Sequence, residues 1–450
     1  MTLYQTLRFI SPHGVAQQSV VIVTGVIVGL VISHEHWLLL AAVAVLPILL
    51  LRPVQVALGL FAFAIPFDSI AAVGQGRTGT TVTRLIGAGA VLVLFTIGCV
   101  GRRLQRPPRT AQLWIIFLIW GVITSVWAVN PRSSLEMIPT TLNILIFYFI
   151  VVSFRVKREE FEPIVLMTIL GGLVAAVFVL YQYHNGTFYS GAAATRASLV
   201  WGDRETNPNR VGIGLLLPLS MEIGWFFRTG RTFAKIALGA FIAVTSLAIL
   251  VTLSRGALLA MCALIAVYVY RLRVNWRLAA VIAVLAALLM VVPSVFFARL
   301  ETAVSDRGSG RLDIWTAGIA AFRHYMVFGA GLDNFPVVYT NYAGYAPQFQ
   351  GYGRDPHNVF LSIGVEFGLP GLLLFISAIT YQFRKAARVR AHETEQDYSL
   401  TACEAGCWGI LVAGLFGNVL WLKAFWLSWI LLAFATQLLK SDLPNRHAPA

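Results

Sequence analysis

Residues 163–183 read PIVLMTILGGLVAAVFVLYQY, 21 positions without a single charged side chain. Coiled as an α-helix at about 1.5 Å per residue, such a run is roughly 30 Å long, the thickness of a bilayer's hydrocarbon core. It reads as a membrane-spanning helix. Upstream, comparable runs occupy 19–32, 37–51, 54–67, 84–100, 111–129 and 140–154. Downstream they occupy 210–227, 233–253, 255–270, 278–297, 357–383, 400–419 and 421–439. The second and third runs are short, so twelve to fourteen spans are expected. Composition agrees, with 58% hydrophobic side chains, 12% charged side chains and a mean hydropathy of +0.75. A soluble domain needs about 25% charged residues to clothe its surface. The expected fold class is therefore an all-α integral membrane protein, a polytopic bundle, and a water-soluble domain is excluded.

The formal charge of +14, from 34 basic and 20 acidic residues, acquires meaning once the charges are placed. Half of the basic residues fall in five alternate turns, at 102–109, 155–158, 228–235, 271–277 and 384–390. Lys- and Arg-rich turns stay cytoplasmic, so these mark the inner face, and with fourteen spans both termini lie inside. The charge thus belongs to membrane topology and membrane lipids, not to nucleic acid. Twelve arginines are left facing outward: Arg77, Arg84, Arg132, Arg196, Arg204, Arg210, Arg255, Arg299, Arg307, Arg311, Arg323 and Arg354. Lys423 is the one lysine near that face. Insertion disfavours positive charge outside, so some of this set is expected to have a task. The first apolar run lacks a small-residue cleavage site and reads as an uncleaved anchor. Cys99, Cys262, Cys403 and Cys407 all sit inside apolar runs, which fits neither a disulfide framework nor a zinc site.

Three regions follow: N-terminal helices over 1–183, a membrane region over 184–440 holding two long outward loops, and a cytoplasmic tail over 441–450. The first loop covers 184–209 and the second 298–356, lengths at which loops are functional or disordered. Ten aromatic residues between Trp315 and Tyr352, a helical pattern over 311–324 and a glycine turn at Gly329–Gly331 argue that the second loop folds as a small cap.

Four outward sites carry candidate chemistry. Asp355-Pro356-His357-Asn358 opens the span at 357–383, with Glu366 nine residues beyond His357. An imidazole with an ordinary pKa of about 6.5 is mostly neutral at pH 7 and can take a proton from a hydroxyl, and a helix N-terminus disfavours its charged form. The competing reading is that His357 and Asn358 cap the helix among lipid headgroups. Glu366 is about 900° of turn and 13 Å of rise away along a continuous helix. It is therefore expected to hydrogen-bond a neighbouring helix and not to orient the histidine.

In Thr252-Leu253-Ser254-Arg255-Gly256, a tight turn places Arg255 at a helix start, where its fork suits phosphate oxygens or snorkels to headgroups. In the first loop Arg196 lacks an obvious structural duty, whereas Asn207 and Asn209 flank a proline and suit N-capping. Gly308, Gly310, Arg311 and Asp313 open the loop helix and read chiefly as scaffold. The sequence holds no His-Glu-x-x-His zinc motif, no Asp-x-Asp pair and no Gly-x-Ser-x-Gly elbow. His34-Glu35-His36 reads as a solvated turn. Glu404 alone stands out as deeply intramembrane. A metal-free site of arginines and one histidine on the outer face is what remains.

These residues, in this order, resemble the bacterial O-antigen ligase and O-antigen polymerase superfamily. The likeness rests on Ser254-Arg255-Gly256, the run from Gly310-Arg311 to Trp315, the stretch Phe328-Gly329-Ala330-Gly331-Leu332-Asp333-Asn334-Phe335, and Pro356-His357-Asn358 through Glu366, Gly368, Pro370 and Gly371. It covers roughly 196–383 and makes 184–440 the catalytic membrane region. The resemblance implies a bacterial inner-membrane glycosyltransferase without cofactor or metal. Such an enzyme moves a glycan from undecaprenyl diphosphate to an acceptor hydroxyl at the periplasmic face, with inversion. It further implies Arg196 and Arg255 as diphosphate ligands, with Arg311 a further candidate and Arg204 or Arg210 able to replace Arg196, and His357 as the group that activates the acceptor. Ser254, Gly256, Asn207, Asn209, Asn358 and Glu366 are the supporting set. The acceptor could be the lipid A core, a growing polysaccharide or a protein hydroxyl. A lipid-linked sugar flippase or transporter is the reading from a different class.

Overall fold

The computed structural model describes residues 52–70, 72–73, 80–191, 195–272, 310–391 and 397–446. The spans expected at 19–32, 37–51 and 278–297, together with His34-Glu35-His36, Arg77, Arg299, Arg307 and Gly308, lie outside the described residues. Every other expected span coincides with a helix. In chain order these are α1 (Pro53–Ala64), α2 (Val82–Val100), α3 (Arg109–Ile123), α4 (Pro131–Ser153), α5 (Arg158–His184), α6 (Pro208–Arg228), α7 (Thr232–Val251), α8 (Arg255–Leu272), α9 (Arg311–Tyr325), α10 (Phe335–Tyr342), α11 (Val359–Ala391), α12 (Tyr398–Gly414) and α13 (Lys423–Arg446). Two short antiparallel hairpins add β1 (Ala72–Val73) with β2 (Thr80–Thr81), and β3 (Val200–Trp201) with β4 (Arg204–Glu205). Among the described residues eight helices are long and apolar enough to cross a membrane.

The glycine pair in the opening stretch explains how α5 packs. A Cβ on Gly171 would lie 2.4 Å from the Phe63 carbonyl oxygen of α1, and one on Gly172 would lie 2.2 Å from Pro218 Cβ of α6. Small residues let backbones meet where lipid offers no hydrophobic drive between helices. Elsewhere aromatic packing dominates: buried Trp114 of α3 meets Phe375 of α11 and Phe425, Trp426 and Trp429 of α13. Within that cluster the Gln382 side chain accepts from Trp114 Nε1 at 3.1 Å and donates to the Trp429 carbonyl at 2.8 Å, fixing the register of three helices.

Two sequence expectations need correction. Helix α4 starts at Pro131, nine residues before the expected span, because Asn130 caps it by accepting from the backbone N–H groups of Arg132 and Ser133 and proline suits the first helical position. Glu404 is buried but not isolated, since Arg271 and Arg390, from the ends of α8 and α11, reach it at 3.1 and 2.7 Å. Nor is it alone, because Glu222 of α6 is fully buried and accepts from Thr245 Oγ1 at 2.9 Å.

The second long loop folds as a cap with its own small core. Ile314, Ala317 and Ala321 of α9 pack with Phe335, Val338 and Tyr339 of α10 and with Val365 of α11. Helix α11 is broken, with Gly368 at φ 67° and ψ −169°, and each backbone group the break frees finds a partner. The Val365 and Glu366 carbonyls accept from the Ala330 and Gly331 N–H groups at 2.8 and 2.9 Å, Trp120 Nε1 donates to the Phe367 carbonyl at 2.8 Å, and the Leu369 N–H donates to the Met326 carbonyl at 2.7 Å. The glycine turn is obligatory here. A Cβ on Gly329 would sit 2.3 Å from the Glu366 carbonyl oxygen, and Gly331 has φ 103°.

Candidate functional site

Among the described residues four non-glycine positions have left-handed backbone, and three of them fall in the motifs: Leu253 at φ 50°, Asp333 at φ 58° and His357 at φ 47°. Such conformations cost of order 1–3 kcal/mol and persist where surrounding contacts over-determine them. For His357 those contacts come from the cap. Trp315 Nε1 of α9 donates to the Pro356 carbonyl at 2.9 Å, and on the other side Asn358 Oδ1 accepts from the Phe360 and Leu361 N–H groups, both at 3.0 Å. Asn358 is thus the cap of α11. His357 was expected to open the helix but stands one residue outside it, because the positive φ turns the chain before the cap.

Burial first and then the charge of Arg311 lower the His357 pKa below its usual 6.5, Asp355 opposes this, and Arg354 and Arg210 add to the lowering. The imidazole is therefore neutral at pH 7, for reasons different from the helix dipole invoked above, and is able to accept a proton. It also marks a meeting point. Arg210 begins α6, Arg311 begins α9 and Arg354 lies in the segment leading to α11, so three separate stretches bring guanidinium charge to one histidine.

A second junction lies beside it on α6. Arg196, only 8% exposed, donates from Nε to the Thr252 carbonyl at 3.0 Å and from Nη2 to Asn209 Oδ1 at 2.7 Å. The Ala197 N–H donates to the Val251 carbonyl at 3.0 Å, so the first loop is stitched to the turn that carries Arg255. In that turn Ser254 Oγ accepts from the Ala257 N–H at 3.3 Å, making the serine a helix cap. Gly256 admits close approach, since a Cβ there would lie 3.0 Å from Phe416 Cβ. Asn207 Oδ1 accepts from the Asn209 N–H at 2.9 Å and caps α6, as the spacing suggested.

Glu366 takes no part in this cluster. It is buried, and Oε1 accepts from the Phe335 N–H at 3.2 Å, capping α10 and holding the cap on α11. Asp313 accepts from Gln350 Nε2 at 2.9 Å and anchors the start of α9. Sequence reasoning counted Arg354 only among the twelve outward arginines and treated Arg210 only as a substitute for Arg196. The signal for Arg354 was its place three residues before the histidine. Among the described residues no group of three or more His, Cys, Asp or Glu side chains could hold a metal ion.

The family model for O-antigen ligase matches residues 240–376. Over these residues the chain is similar to the O-antigen ligase family. The matched segment runs from α7 into α11 and contains Arg255, Arg311, His357 and Glu366, so the resemblance read from the motifs is borne out there. Members of this family are glycosyltransferase-like enzymes of the O-antigen ligase and polymerase superfamily. No curated protein matches the chain.

A neutral histidine among arginines fixes an expected pH dependence. If the unprotonated imidazole is the competent form, kcat/KM falls on acidification with a midpoint below 6.5. Arg311→Gln removes the strongest neighbouring charge, makes the imidazolium easier to form, and shifts that midpoint upward whatever it does to the maximum rate. A pH–rate profile of both proteins checks the shift, and coincident acid limbs would remove His357 from the reaction.

Proposed function

We propose that the protein transfers a glycan from undecaprenyl diphosphate to an acceptor hydroxyl, with the cap and His357 on the periplasmic side of the bacterial inner membrane. The observation that carries this reading is the convergence of Arg210, Arg311 and Arg354 on a half-buried neutral His357, the histidine and the last two arginines lying within the segment that matches the O-antigen ligase family model. The acceptor oxygen attacks the anomeric carbon, its proton passes to the imidazole, and the carbon–oxygen bond to the diphosphate breaks with its electron pair on the leaving group. One displacement inverts the anomeric centre. Charge grows on the diphosphate as that bond lengthens, and fixed guanidinium donors stabilise it. Arg255 and Arg311 supply those donors, and Arg196 holds the Arg255 turn in place and adds positive charge beside it. Diphosphate needs no proton to leave, so this route requires neither metal nor cofactor.

A ligase using the lipid A core as acceptor is preferred to an O-antigen or exopolysaccharide polymerase, and a protein O-oligosaccharyltransferase comes third. A flippase is less well supported, because the arginines gather at one end of the bundle and the buried Glu404 is matched by two arginines, whereas transporters place ionisable groups at the midplane. A deletion strain separates the readings. Full-length carrier-linked polymer with none on lipid A is the ligase outcome, single carrier-linked repeats indicate a polymerase, and wild-type glycans on both would overturn the proposal.

A further inference from the structure

The end of the bundle opposite the cap holds a cavity of about 470 Å³ that the transfer chemistry leaves unused. Arg106 lies on its wall in the turn between α2 and α3, Arg155 in the turn between α4 and α5, Lys385 on α11 and Lys440 on α13. No acid lines it. Six other cations described at this end are matched by acids. Arg103 pairs with Glu160, Lys157 with Glu159, Arg228 with Glu162, Arg158 with Asp397, and Arg271 and Arg390 share Glu404. None of the four cavity cations has an ion pair with an acid among the described side chains.

The cavity is also built to keep its shape. The Gln105 N–H donates to the Ser153 carbonyl at 2.8 Å and the Arg155 N–H to the Arg103 carbonyl at 2.9 Å, with Leu104 and Phe154 bridged antiparallel between them. Two turns that could splay apart are thereby locked, bringing Arg106 and Arg155 to one wall. One turn along α11 from Lys385, Gln382 is tied to the Trp429 carbonyl, which fixes α11 against α13.

We propose that this cavity binds the headgroup of an anionic phospholipid from the leaflet at the basic end. Four uncompensated cations suit a phosphodiester with net negative charge, and basic pockets between membrane helices on the cytoplasmic side take such headgroups. Pro108, Val156 and Leu438 line the same cavity and give an apolar wall beside the charge, which a lipid uses and inorganic phosphate does not. Arginines needed only to orient the chain could lie anywhere in these turns, as Arg109 and Arg388 do, away from the cavity wall. The proposal is independent of the acceptor and of the chemistry at His357.

Native mass spectrometry of the whole purified protein tests it, with cardiolipin and phosphatidylcholine as probes and inorganic phosphate as the soluble competitor. Cardiolipin is expected to be retained over phosphatidylcholine, and R155Q/K385Q to weaken retention about tenfold or more, as removal of two close charges should. R109Q/R388Q, which removes the same charge outside the cavity, should retain cardiolipin like the unaltered protein. Equal losses in the two double variants would overturn the site. Displacement of the lipid by millimolar phosphate would assign the cavity to a soluble anion and overturn the lipid.

Discussion

His357→Asn is expected to lower glycan transfer by about 10²–10⁴-fold, the usual contribution of a positioned general base, while leaving the melting temperature of the purified protein near its original value. Asparagine is the informative replacement because the backbone at 357 has φ 47°, a conformation that asparagine tolerates better than other non-glycine residues. His357→Ala removes the same base but adds about 1–2 kcal/mol of backbone strain, so its loss of activity would mix chemistry with folding. The pair separates the two readings given to this residue. If the histidine served only as part of a headgroup-level helix cap, the Asn variant would be nearly silent, because Asn358 already caps α11 through two N–H groups. Turnover of a carrier-linked glycan by H357N within a few-fold of the unaltered enzyme would end the base assignment.

The second large effect is expected at Arg196. Truncation to alanine strands the Thr252 carbonyl and the Asn209 side-chain oxygen, two acceptors now bonded to a nearly buried guanidinium. Unsatisfied buried groups cost about 1–3 kcal/mol each, so both stability and transfer should fall, the latter because the turn that carries Arg255 loses its tie to the first loop. Arg196→Lys sharpens the point. A lysine keeps the charge but lacks the planar fork that reaches both acceptors at once. It is therefore expected to recover little of either property, measured as thermal unfolding in detergent and as turnover at saturating donor. Full rescue by lysine would mean that charge alone matters and that the stitching contacts are incidental.

How far the chain could be read in advance depended on the range of the interactions involved. Helix positions were legible because burial in lipid leaves a local, continuous apolar signature, as in residues 163–183. The caps Asn207 and Asn358 were legible because their backbone roles depend on neighbours two or three positions away, whereas the cap formed by Ser254 was not read in advance. Glu366 was legible as structural, since helix geometry alone turned it from the histidine, but its partner was not, because the Phe335 N–H lies 31 residues earlier in sequence. The clustering of Arg210, Arg311 and Arg354 was hidden for the same reason: three segments meet through the cap, and no local pattern records their approach. The early start of α4 could have been found from Asn130-Pro131, but apolarity, the signal used to place the spans, is weak over that first turn.

The break at Gly368 divides α11 into two pieces with different loyalties. Val359–Phe367 shares Val365 with the core of the cap and surrenders its last carbonyls to Ala330, Gly331 and Trp120, while the stretch beyond Gly368 packs through Phe375 and Gln382 into the bundle. Trp315 grips the chain just ahead of the histidine. Cap and histidine are thus tied to the same piece of chain on one side of the corner, a piece that also packs into the bundle through Val359, Ile363 and Phe367. Under the proposed transfer, a glycan that pressed on the cap would also shift the imidazole, and lifting the cap to admit a donor would draw the proposed base away from it.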